Sequence, residues 1–180
     1  RPAPTDNADS RPRGEPISLL VLHNISLPPG EYGGDAIEAL FCNRLDCSAH
    51  PWFERLRDLR VSAHLLIRRD GEVVQFVPFQ DRAWHAGRSV FEGKPECNDY
   101  SIGIELEGTD DDPYTREQYR CLIEITRSLI TAYPLITPDR IVGHEHVAPE
   151  RKTDPGPAFE WAYFLDHLAV MEPSAGEETS

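Results

Sequence analysis

The chain has 180 residues, 39% hydrophobic and 27% charged, a balance that suits one globular domain with a real core and is too short for two ordinary ones. Eighteen Lys and Arg stand against 31 Asp and Glu, a net charge of −13. A surface that acidic repels nucleic acid and anionic lipid, so neither is an expected partner, and any anionic ligand must be caught by a few locally placed Arg and Lys side chains.

Residues 1–16 are polar and proline-rich and read as a flexible or surface-hugging lead-in. They contain no apolar h-region, and no run in the chain approaches 18 apolar residues. Neither a signal peptide nor a membrane span is therefore expected, and the cytoplasm is the expected location, although the first residue is not Met. Residues 17–22 are a continuous apolar run, as in a strand buried on both faces, and they end at His23. Leu27-Pro28-Pro29-Gly30 and Gly33-Gly34 mark a loop, after which Asp35 is placed to cap a helix with apolar positions Ile37, Leu40, Phe41 and Leu45. A second loop with Pro51, Trp52 and Phe53 leads to Arg60.

Val61, Ala63, Leu65 and Ile67 alternate with Ser62, His64 and Leu66; Arg69-Asp70-Gly71 turns the chain, and residues 72–77 return as a hairpin partner. Residues 101–107 alternate again, Ile102, Ile104 and Leu106 facing one way, Glu105 and Glu107 the polar way. Thr115 and Gln118 have capping-box spacing and open a long helix through Tyr119, Leu122, Ile123, Ile130 and Tyr133 that Pro134 stops. Residues 140–142 form a short strand running into Gly143-His144. Pro157 is expected to start a closing helix towards Val170, with 172–180 an acidic tail. The four cysteines have no CxxC spacing and read as small buried residues or free thiols. Together these elements predict a single α/β domain over 17–171, a central mixed β-sheet flanked by helices.

A zinc hydrolase needs three protein ligands and a fourth position open to water. His23 and His144 each follow a buried strand, where rigid elements present site residues, and Asp154 lies ten residues after His144 in Arg151-Lys152-Thr153-Asp154-Pro155-Gly156. A single strand-end histidine is more often a hydrogen-bonded structural residue, and no HExxH or Cys pair is present, so spacing alone leaves metal binding open.

Five blocks carry a resemblance. They are residues 20–30 (LVLHNISLPPG); Val61-Ser62-Ala63-His64 followed by Arg68-Arg69-Asp70-Gly71; Arg82-Ala83-Trp84-His85-Ala86-Gly87; residues 97–108 (CNDYSIGIELEG); and Gly143-His144 with residues 148–156 (APERKTDPG). In this order, over residues 17–161, they resemble the bacterial AmpD-type amidases, whose wider family shares its fold with phage amidases and peptidoglycan recognition proteins. The resemblance implies a cytoplasmic zinc amidase of peptidoglycan recycling that cuts between 1,6-anhydro-N-acetylmuramic acid and L-alanine. It implies one Zn²⁺ per chain on His23, His144 and Asp154, with Glu105 as general base and Lys152 as the cation facing the developing oxyanion. His146 competes with His144 on spacing; His144 is preferred because it directly follows the strand and keeps the family's frame with Asp154.

The implied ligand is an anhydro-muropeptide, met by a monomer. Asn24, Arg60, His64, Trp84 and His85 are its expected contacts, with Arg60 on the peptide's carboxylates. Relatives often carry a basic residue before Cys-Asn-Asp; Glu96 stands there, and Lys94 or Arg88 is the expected substitute. Two rival readings remain: a peptidoglycan-binding module without catalysis, and a zinc peptidase acting within the stem peptide.

Overall fold

The apolar run that ends at His23 becomes an inner strand of a sheet. The computed structural model describes residues 1–169. Its strands are β1 (Ala8–Ser10), β2 (Leu19–Ile25), β3 (Leu65–Ile67), β4 (Val73–Gln75), β5 (Asp81–Ala83), the hairpin β6 (Val90–Phe91) and β7 (Lys94–Pro95), β8 (Ser101–Glu107) and β9 (Ile141–Gly143). Its α-helices are α1 (Ala36–Phe41), α2 (Arg116–Ala132), α3 (His144–Val147) and α4 (Trp161–Ala169). The main sheet runs β4-β3-β8-β2-β9, with β4 antiparallel to β3 and the other four strands parallel. It is the expected mixed sheet.

Alternation on the two inner strands decides what each face carries. Leu20 and Leu22 of β2, with Ile102, Ile104 and Leu106 of β8, pack under α2 and α4 against Leu122, Ile123, Leu129, Phe159 and Phe164. The opposite face carries Leu19, Val21 and His23 from β2 and Ser101, Gly103, Glu105 and Glu107 from β8. Loops, α1 and the 3₁₀ turn Pro51–Leu56 cover that side, with Phe41, Phe53 and Phe76 in its core. All seven residues of β8 are buried. Glu105 and Glu107 thus leave on the side opposite the isoleucines, as expected, but not into solvent: alternation marks a second packed face here.

The capping box forms as its spacing predicts: Thr115 Oγ1 accepts from Gln118 N and Gln118 Oε1 accepts from Thr115 N, both at 3.1 Å. Asp35 sits at the N-cap of α1, yet its side chain makes no capping bond. Only Leu65–Ile67 of the alternating stretch 61–67 joins the ladder. The closing helix begins at Trp161, not Pro157. Gly156 has φ +80, and Ala158 N donates to the carbonyl of Asp110, so the chain there is pinned in a non-helical path. A Cβ at Gly156 would lie 2.3 Å from Asp110 Cα, so this crossing needs glycine. The tail expected at 172–180 lies outside the described residues. The four cysteines are free, and among the described residues no helix is long and apolar enough to cross a membrane.

The first sixteen residues are stitched into the domain. β1 pairs antiparallel with β5, Ala3 and Asn7 are buried, and Asn7 Nδ2 donates to the carbonyls of Phe41 and Val61. Arg11 reaches furthest, its guanidinium donating to the carbonyls of Phe79, Asn98, Asp99 and Ser101 at 2.8–3.2 Å. Removing it would orphan four partly buried acceptors at once. Arg11→Ala is expected to cost about 2–4 kcal/mol in urea unfolding. A change under about 0.5 kcal/mol would mean that the lead-in only hugs the surface.

Candidate metal and catalytic site

Parallel register assembles the site. His23 pairs with Glu105 across β2 and β8, and Leu22 pairs with Gly143 across β2 and β9. The carboxyl ends of three parallel strands therefore bring His23, Glu105 and His144 together, where open α/β sheets usually place ligands. Asp154 closes the group from the following loop, held by the bond from Glu145 N to its carbonyl.

Three donor atoms converge. His23 Nδ1 lies 2.9 Å from His144 Nδ1 and 3.1 Å from Asp154 Oδ2, and His144 Nδ1 lies 3.0 Å from the same oxygen. Both histidines are buried. The far nitrogen of His144 faces the carbonyl of Ala86 at 3.1 Å; a carbonyl has no proton to give, so Nε2 carries the hydrogen and Nδ1 is a bare lone pair. His23 Nε2 is likewise engaged, 2.9 Å from His85 Nδ1. Lone pairs that face one another repel unless a cation sits among them. The spacing is close to the roughly 3.3 Å between donors of a tetrahedral zinc with bonds of 2.0–2.1 Å. The donor set fits zinc.

Electrostatics suit ligation. Burial, then the neighbouring His144, brings the His23 pKa down to about 4, so the ring is neutral at pH 7. Burial opposes ionisation of Asp154, but its contacts with His144 and His23 outweigh that and hold it well below the usual carboxylate range. Glu105 goes the other way: burial, then the nearby Asp154, raises its pKa well above the ordinary value, with Lys152 opposing. Its Oε2 is buried and has no protein partner. His146 stays outside the cluster, half exposed, its Nδ1 accepting from Gly143 N.

The cluster lies in a cavity of about 1170 Å³, lined also by Asn24, Glu105, Trp84, His85, Arg60 and Lys152. Asn24 gives its amide protons to Asp110 and to the carbonyl of Pro155, so it braces the cavity wall and does not orient His23. His64 does not line the cavity. It is fully buried, its Nδ1 accepts from Gly103 N, and its Nε2 lies 3.1 Å from both the Asp81 carbonyl and Arg11, so the expected contact with a ligand meets a ring with both nitrogens taken. His85 lines the cavity with both ring nitrogens engaged, against His23 and Ser101. Trp84 also lines the cavity, its indole Nε1 buried and without a protein acceptor.

Neither proposed substitute for the missing basic residue lines the cavity. Lys94 pairs with Glu15, and Arg88 lies outside the wall. Arg55 was not singled out from the sequence, where nothing distinguishes it from Arg57. In the structure it lines the cavity beside Arg60, its guanidinium 5.5 Å from the Trp52 ring, while Arg57 pairs with Glu54. Neither Arg55 nor Arg60 makes an ion pair among the described residues.

Comparisons with known proteins bear on the family and the fold. The model of the family described as N-acetylmuramoyl-L-alanine amidase matches residues 13–157. The 1,6-anhydro-N-acetylmuramyl-L-alanine amidase AmpD of Citrobacter freundii is 57% identical over 178 residues, 99% of this chain and 93% of that one. A crystal structure of a selenomethionyl AmpD derivative superposes with a TM-score of 0.90 at 58% identity, covering 93% of each chain. The amidase AmiD of Escherichia coli, in complex with anhydro-N-acetylmuramic acid-L-Ala-D-γ-Glu-L-Lys, matches at TM-score 0.62 and 30% identity, over 92% of this chain and 63% of that one.

The buried imidazoles set a pH dependence. Burial, then a neighbouring charged or titrating group, holds His23 at about 4, His64 at about 3, and His85 well below its ordinary value. Below pH 6.5 the unfolded chain binds protons that these three refuse in the fold, so stability falls as pH drops from 6.5 towards 4. Glu105 and Glu145, each raised first by burial, have the opposite sign and offset part of this loss. Thermal melts of chelator-treated protein between pH 6.5 and 4.5 should show this slope; a flat midpoint would contradict the assignment.

Proposed function

The chain belongs to the N-acetylmuramoyl-L-alanine amidase family, and from that premise we propose a zinc-dependent hydrolysis of the amide between 1,6-anhydro-N-acetylmuramic acid and L-alanine in peptidoglycan fragments. One observation carries the zinc: His23 Nδ1, His144 Nδ1 and Asp154 Oδ2 converge within 3.1 Å of one another in a cavity that Glu105 also lines. Zinc held by those three side chains would supply Lewis acidity toward the amide carbonyl and acidify water at neutral pH.

The chain's own residues supply the rest. Glu105, buried and with a free oxygen, accepts the proton of the attacking water and delivers it to the alanine nitrogen as the C–N bond breaks. Its raised pKa suits a group that must both take and return a proton near neutrality. Lys152, on the same cavity wall, offers its ammonium to the negative charge growing on the carbonyl oxygen. Arg60 and Arg55 take the carboxylates of the stem peptide, and Trp84 gives the sugar an aromatic face. A binding module would need none of this acid–base machinery. The cluster and Glu105 are complete within one chain and need no second copy, so a monomer is the proposed working unit, and the recycling role carries the cytoplasm with it as the setting.

Purified protein should hold one zinc, lost in His23→Ala and in His144→Ala but kept in His146→Ala. Glu105→Gln should lower kcat by about 10²–10⁴ and keep its zinc. Glu107 accepts from Gly33 N and Arg69 N and pairs with Arg68, so Glu107→Gln should cost about 1–3 kcal/mol of stability and leave the kcat of folded protein near wild type. Zinc retained without His144, or a benign Glu105→Gln, would overturn the scheme.

Arg55→Ala and Arg60→Ala are each expected to raise KM for the anionic tripeptide fragment several-fold. KM for a fragment carrying only L-alanine amide should stay near wild type. Equal losses on both fragments would make these arginines structural.

A further inference from the structure

A metal site built on histidine depends on which ring nitrogen carries the proton, and that is set by what the other nitrogen touches. For His144 the partner is the Ala86 carbonyl, which settles the matter. For His23 the partner is another histidine, and His85 Nδ1, 2.9 Å from His23 Nε2, could in principle give a proton or take one. If it gave one, the proton of His23 would move to Nδ1 and block the metal. Something beyond His85 must decide.

Ser101 does so. Its Oγ lies 3.1 Å from His85 Nε2 and 2.6 Å from the carbonyl of Cys97. At 2.6 Å from an oxygen that can only accept, the hydroxyl must keep its hydrogen on the Cys97 side, which leaves Oγ a lone pair for the ring. His85 Nε2 then holds the hydrogen and donates it, His85 Nδ1 is bare, and His23 Nε2–H donates to it. His23 Nδ1 is thereby left bare, facing Asp154 and His144. We propose that Ser101, acting through His85, is the positioning residue that fixes the metal-binding tautomer of His23.

The surroundings hold this chain of bonds in place. Ser101 is fully buried, and Asn98 Oδ1 accepts from the main-chain N–H of both His85 and Ala86. A Cβ at Gly103 would stand 2.4 Å from His85 Cγ, so the ring lies directly on the glycine backbone and has no room to be re-seated. Ser101, Gly103 and Glu105 are alternate residues of β8 and share one face. A single strand thus provides the hydroxyl that orients His85, the gap that seats it and the carboxylate in the cavity.

This inference rests on the zinc reading, and its test separates the two. Zinc affinity of wild type, Ser101→Ala and Ser101→Thr is measured by competition with a chromophoric chelator, alongside the melting temperature of each metal-free protein. Ser101→Ala is expected to bind zinc about 10–100-fold more weakly, and Ser101→Thr, which keeps the hydroxyl, to recover most of that loss. Unchanged affinity in folded Ser101→Ala overturns the inference alone. A wild type that takes up no zinc overturns the zinc reading and the inference with it. Should Ser101→Ala not fold, nitrogen-15 NMR of the wild-type histidine rings decides: Nε2–H on both His85 and His23 supports the chain of bonds, and Nδ1–H on His85 refutes it.

Discussion

Three lone pairs brought within 3.1 Å of one another are the constraint on which the rest of this domain depends. Such a cluster is unfavourable without a cation, so the fold has to hold it rigidly, keep its imidazoles neutral and keep their protons on the far nitrogens. Rigidity comes from parallel strands, since His23 is the fifth residue of β2 and His144 directly follows β9, the strand paired beside it. Neutrality comes from burial, which outweighs the attraction of Asp154 for a proton on His23. The protons are directed outward to Ala86 and, through His85, to Ser101.

The same constraint explains why the sheet has two different faces. One is an ordinary apolar layer under α2 and α4. The other carries histidines, a serine and two carboxylates, all buried, each with a distinct use of its polar atoms. Glu107 is satisfied by Gly33, Arg69 and Arg68 and holds the loop after β2 to the β3–β4 hairpin. Glu105, two residues earlier on the same face, keeps a buried oxygen with no partner. Buried polar atoms are nearly always paired, and an unpartnered carboxylate oxygen beside the cluster is what the proposed proton transfer calls for.

Much of this was legible beforehand. Strand-end histidines, the Lys152-Thr153-Asp154-Pro155-Gly156 segment and the capping box at Thr115 are local signals, and local signals survive folding. The mixed sheet followed from strands interleaved with helices along the chain. What could not be read depends on contacts distant in sequence. The alternation in 101–107 looks the same whether its polar side faces water or a second packed layer. Arg11 reads as one more charge in a proline-rich lead-in until its guanidinium is seen to serve four carbonyls. His64 and Trp84 both looked like substrate contacts, yet only Trp84 lines the cavity. Arg55 differs from Arg57 only in which of them faces that cavity, and its spacing carries no hint of it.

The central claim is the identity of the three donors, and X-ray absorption at the zinc edge of metal-loaded protein tests it most directly. The account predicts a light-atom shell near 2.0–2.1 Å with multiple scattering from two imidazoles and no sulfur. A sulfur shell near 2.3 Å, from any of the four free cysteines, or scattering that requires three imidazoles, would contradict it.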